Sequence, residues 1–247
     1  MLAAACAVAL LLGGAALHGQ GLEGASDISH SFGLVAYAAD TGETLEPKGS
    51  KIVFDVGEGG CDDLEKGFFS GCIFKVTGDN IQSVSASMDK GGLYRHEKIE
   101  VDEKMPAVTL QETDPRLANA DIISISGLEE QHMWWADVSW KLENGFVETY
   151  DPAVSYGLWA APQTTDAEDE QAAWHARTDE FDGATLTVTV TFTDGTTATQ
   201  EMTLHTGKLG VTYPDDVSGP QLTGEVLTDE QAKEQGYVYG VYAQLQE

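Results

Sequence analysis

From Leu2 to Leu17 the chain reads LAAACAVALLLGGAAL, a run without a charge; from there on it is polar and falls into short alternating segments. As a helix the run would span roughly 24 Å at a rise of about 1.5 Å per residue, short of the ~30 Å hydrocarbon core of a bilayer. It is also long for the core of a signal peptide, and only Met1 precedes it where a basic flank belongs. The first Lys or Arg is Lys48. Residues 1–19 therefore read as a transmembrane anchor, with a cleavable signal segment and a buried core helix as the alternatives. The missing basic flank points to an internal start, with a basic cytoplasmic segment or a whole domain expected upstream. Cys6 stands at the start of the run, where the lipidated cysteine of a lipoprotein does not lie.

After a linker over 20–31, strand patterns follow one another with turn signals between them. They are FGLVAYAA (32–39), KIVFD (51–55), CIFKV (72–76), IQSVSASM (81–88), LYRHEKIEV (93–101), DIISIS (121–126), WWADVSWKL (134–142), ATLTVTVTF (184–192), ATQEMTL (198–204) and YVYGVYAQL (237–245). This density predicts an all-β, antiparallel sandwich, Ig-like or related. Residues 32–161 form one β unit and 184–247 a second, or a single domain with the first. The stretch between them, 162–183, reads as an acidic linker or a short helix, its acidic residues leading and Arg177 trailing as a helix dipole favours.

Parity settles the hairpin at Asp194-Gly195. A two-residue turn would oppose Val188 to Glu201 and Phe192 to Thr197, apolar against polar. A three-residue loop, Thr193-Asp194-Gly195, opposes Val190 to Ala198 and Leu186 to Met202, with Gly195 left-handed. Thr228 and Gln231 form a capping box ahead of Gly236, which predicts a two-turn helix over 228–235 before the last strand.

Charge narrows the function. With 41 Asp plus Glu against 13 Lys plus Arg the net charge is −28, a field that repels phosphate backbones and excludes nucleic acid as a partner. It attracts cations, yet no EF-hand-type loop is present and the acidic clusters at 62–63, 166–170 and 215–216 read as solvated loops. Cys61 and Cys72 are the two cysteines outside the apolar run, and in an exported chain that spacing predicts a disulfide.

No G-x-S-x-G elbow, P-loop, H-E-x-x-H or dinucleotide-binding glycine pattern occurs. The six histidines show no ligand spacing, so no catalytic residue, metal ligand or cofactor is expected. One aromatic feature stands out. In WWADVSWKL a period of two sends Trp134, Ala136, Val138, Trp140 and Leu142 to the core, and Trp135, Asp137, Ser139 and Lys141 to the opposite face. Trp135 is the candidate binding residue, since an indole on a polar face can stack on a sugar or anchor a protein; the alternative is that a loop or second domain covers this face. Trp159 and Trp174 are candidates to join it.

The segments FKVTGDNIQSVSASMDKGGLYR (74–95) and HSFGLVAYAAD (30–40), shortly after an apolar run, resemble the ectodomains of uncharacterised single-pass proteins of gut Gram-positive bacteria, some with an anti-sigma-factor-like or other regulatory segment on the cytoplasmic side. The likeness covers about a quarter of the chain and carries no catalytic motif. It implies a membrane-anchored, extracytoplasmic β domain. Together these readings predict an anchored module, with secretion as the alternative, that senses or binds a protein or glycan ligand. A carbohydrate-binding module and a hydrolase with a carboxylate-based site are the alternatives.

Overall fold

A computed structural model of the chain describes residues 30–37, 44–45, 51–54, 60–163, 169–213 and 220–245. The apolar run 2–17 lies outside them. Among the described residues no helix is long and apolar enough to cross a membrane.

The fold is mostly antiparallel β in two sheets. Its strands are β1 (Ser31–Tyr37), β2 (Thr44–Leu45), β3 (Lys51–Val53), β4 (Cys61–Asp63), β5 (Gly67–Asp79), β6 (Ile81–Met88), β7 (Gly92–Val101), β8 (Ile122–Leu128), β9 (Met133–Lys141), β10 (Phe146–Thr149), β11 (Ser155–Ala160), β12 (Thr185–Phe192), β13 (Thr197–Thr212), β14 (Gln221–Leu227) and β15 (Tyr237–Leu245). The front sheet runs β2-β1-β5-β11-β7-β9-β8, with β4 beside the first part of β5. The back sheet runs β10-β6-β12-β13-β15-β3, with β14 beside the end of β13. Strands from both sides of residues 162–183 share the back sheet, because β12 pairs with β6 from Leu186 opposite Met88 to Phe192 opposite Ile81.

Alternation explains the core. In β12, Leu186, Val188, Val190 and Phe192 are buried and the threonines between them are not. They meet Phe68, Phe74, Leu93, Tyr156 and Leu158 of the front sheet in one cluster. β12 and β13 show the expected hairpin: Val190 faces Ala198 and Leu186 faces Met202. The amide of Gly195 donates to the carbonyl of Phe192 (2.9 Å), and Gly195 has φ +84°, a conformation open to glycine at little cost.

Each sheet overruns the sandwich, and a helical segment covers each overhang. On the front sheet, the far parts of β7, β9 and β8 extend past the main core. There α1 (Ala107–Thr113) and the 3-10 turn Pro115–Leu117 lay Leu110 and Leu117 on Val101, Ala136 and Val138. On the back sheet, β13 and β15 run on past Leu204 and Val241, and α2 (Glu170–Thr178) packs against β15. Asp169 caps α2 by accepting from the amide of Ala172 (2.8 Å).

Two expectations are corrected. Cys61 and Cys72 are both thiols, with no disulfide between them. Cys61 pairs with Phe69 at the edge of β5, whereas Cys72 is three positions further along and is buried in the main core. Such a separation, at about 3.3 Å per residue, exceeds what a disulfide spans. The last helix, α3 (Gln231–Glu234), is one turn rather than two. Its capping box forms as read, with the Thr228 amide donating to Gln231 Oε1 (2.8 Å) and the Gln231 amide to Thr228 Oγ1 (3.3 Å). The helix is short because the chain already re-enters the sheet at Gly236, whose carbonyl accepts from the amide of Val211 (3.2 Å).

Candidate functional site

The back overhang forms the aromatic cleft of the molecule. Tyr237 and Tyr239 share the alternation of the core residues Val241 and Ala243, so they face the same side of β15 but beyond the core. Across from them, α2 contributes Gln171, Trp174 and His175, and the space between is about 370 Å3. Trp174 is anchored edge-on against Phe68 at 5.0 Å between centroids. The ring of His175 lies 4.1 Å from that of Tyr239.

Hydrogen bonds fix the tyrosines. The hydroxyl of Tyr239 donates to Asp179 Oδ1 (2.5 Å), to which Thr206 Oγ1 also donates (2.7 Å). Burial, then the bond to Asp179, pushes the Tyr239 pKa up and keeps its hydroxyl protonated. Lys208 Nζ lies 5.2 Å from the centre of the Tyr237 ring and bonds Asp229 Oδ1 at 2.7 Å. Arg177 ties α2 to the front sheet through Asp62 (2.7 Å). The outcome is a partly preformed cleft with aromatic faces and polar edges, as ligand sites commonly have.

A second cavity, about 540 Å3, opens where β10 crosses to β11 and is lined by Arg95, Glu148, Tyr150 and Asp151. Arg95 Nε meets Glu97 Oε1 at 2.6 Å and its Nη1 meets Glu148 Oε2 at 3.2 Å. Tyr156 donates its hydroxyl to Glu148 Oε1. Glycoside hydrolysis needs two carboxyls on either side of a scissile bond. Here one guanidinium holds both.

A Ser-His-Asp set also converges on the outer face of the front sheet. His96 Nδ1 lies 3.5 Å from Ser139 Oγ, and its Nε2 lies 3.9 Å from Asp137 Oδ1. His96 is 3% exposed and Ser139 6%, so the pair is closed to a substrate. Burial, partly offset by Asp137, lowers the His96 pKa and leaves the ring neutral near pH 7. Hydrogen bonding between nucleophile and base, the geometry of nucleophilic catalysis, needs both closer contact and access.

The tryptophans do not assemble. Trp135 is half-buried on the polar outer face, opposite Glu100 and Ser126, with Lys98 Nζ 5.3 Å from its ring centre. Trp159 sits on β11, donating Nε1–H to the Lys66 carbonyl (3.0 Å) beneath Lys141. Trp174 alone reaches a cleft, and its partners Tyr237 and Tyr239 are more than sixty residues away in sequence, beyond any local signal. The alternation of YVYGVYAQL was the available clue, since it places two tyrosines on the core-facing side. Among the described residues no cluster of three or more His, Cys, Asp or Glu side chains could hold a metal ion.

No protein-family model matches the chain, and no curated protein or solved structure matches it significantly.

Proposed function

We propose that the chain is an extracytoplasmic binding module, tethered through its apolar N-terminal run, that holds a ligand in the cleft between α2 and β15 and does no chemistry on it. The observation that carries this reading is the cleft itself, with Trp174, His175, Tyr237 and Tyr239 around one concavity. The sandwich serves on this reading as Ig-like and related scaffolds do, presenting a site at one end of a rigid core. The two thiols are compatible with life outside the cytoplasm. Cys72 is buried, and burial together with Asp63 and Asp62 raises the Cys61 pKa, which keeps Cys61 in its unreactive thiol form.

The lining favours carbohydrate as the ligand. Aromatic faces stack on the apolar faces of sugar rings, while Gln171 and His175 offer hydrogen bonds to hydroxyls. A glycan array followed by calorimetry on the hits tests this, with Tyr237→Ala expected to weaken binding about tenfold at an unchanged thermal midpoint. An array without hits removes the carbohydrate reading. Turnover of chromogenic esters or glycosides, lost in His96→Asn or Glu148→Gln, overturns the non-catalytic reading itself.

A further inference from the structure

The four strands that end the two sheets differ sharply. β2 has two residues, β3 has three and begins with Lys51, and β10 has four with Glu148 among them. Such short or charged edges do not invite a further strand. β8, IISISGL, is the exception, with seven residues, no charge and no proline. Its register with β9 is unbroken from Ile122 opposite Ser139 to Leu128 opposite Met133. Among the described residues, no hydrogen bond joins its backbone to anything but β9. Nor do bulges blunt it, as one does β14, where the register shifts between Leu209 and Val211.

The surroundings say what fits. Ile123 and Ile125 pack, with Trp134, against the apolar cluster of Leu110, Leu117 and Val138 at the front overhang, so an added strand would place alternate apolar residues there. On the other face Ser124 and Ser126 stand between Ile122 and the exposed Leu128, with Asp137 and Glu100 further into the sheet and Lys98 over Trp135, and the exposed Glu129 and Glu130 lie just past the end of the strand. A second copy would bring a second charge of −28 against this one, which disfavours self-pairing. We propose that β8 receives an extended segment of a partner protein, apolar at alternate positions and basic at those between, which adds to the front sheet as a further strand.

The test uses the full chain and an acetylated, amidated octapeptide alternating Lys and Val, followed by fluorescence anisotropy. Binding should fall roughly tenfold from low to physiological salt. It should disappear when the peptide is N-methylated along one edge but survive methylation along the other, and a Glu-Val peptide should not bind. Ser124→Lys and Ser126→Lys, both at exposed positions, should abolish binding while the thermal midpoint and circular dichroism hold. Binding that ignores the N-methylation pattern or survives both variants overturns the proposal, as does no binding at low salt. A salt-promoted dimer that Ser124→Lys dissociates also overturns it, because a second copy then holds the edge.

Discussion

At the front overhang the covering segment is apolar where it touches the sheet: Leu110 and Leu117 are buried against Ala136 and Val138, and Gln111 holds the segment together by donating to the carbonyls of Leu117 (3.2 Å) and Ala120 (3.1 Å). At the back overhang the covering helix touches the sheet through aromatic and polar groups, and about 370 Å3 stays open beneath it. The two solutions arise from the side chains that face the overhanging strands. Val101 and Val138 call for aliphatic cover, whereas Thr206, Lys208, Tyr237 and Tyr239 need hydrogen-bond partners and leave rings exposed. One overhang extends the hydrophobic core. The other keeps an open aromatic cleft.

The sharpest way to break this contrast is Leu117→Ala. That leucine is fully buried in the front overhang, so its truncation should cost about 2–5 kcal/mol, seen as a lower urea midpoint, while ligand affinity at the back cleft is unchanged. Tyr239→Phe should act at the cleft instead, with a smaller cost in stability. It removes the hydroxyl that bonds Asp179, costs about 1 kcal/mol, and should lower ligand affinity by freeing the ring to rotate. Asp169→Ala takes away the cap of α2 and should cost about 1 kcal/mol; amide exchange should then quicken in α2 and not in α1.

The smallest effect concerns pH. His96 is held below its ordinary value of 6.5 chiefly by burial, so as pH falls through 6.5 the unfolded chain takes up a proton that the fold resists. Stability should therefore decline on acidification in that window and be level above it. His96→Asn should remove this part of the slope; if urea midpoints of the two proteins run parallel from pH 7 to 5, His96 does not carry it.

Much of the fold was legible because its determinants are local. The parity of residues 186–204 decided the hairpin loop, and Thr228 with Gln231 decided a cap. The ten strands read from alternation all appear, among them β6 and β15 with their ends as read, although positions 38, 39 and 55 lie outside the described residues. β11 was not read, since SYGLWA has Gly157 at its centre. The structure explains that glycine, because a Cβ there would lie 2.1 Å from the ring of Tyr94. The short strands β2, β4 and β10 and the bulged β14 gave too little pattern. The site was hardly legible at all. Trp135 drew attention through its neighbours in sequence, whereas Trp174, Tyr237 and Tyr239 meet only because α2 folds over β15. The cysteines failed for the converse reason: spacing suggested proximity, but strand pairing separates them.

The back sheet ends in β3, from early in the chain, paired with β15, from its end: Lys51 lies opposite Gln244 and Val53 opposite Tyr242. Such closure across almost two hundred residues gives the molecule a high contact order, and slow folding follows from it. Synthesis from the N-terminus cannot complete the back sheet until β15 has been made. The back sheet thus closes late, and the edge of β13 that β15 covers stays unpaired until β15 is in place.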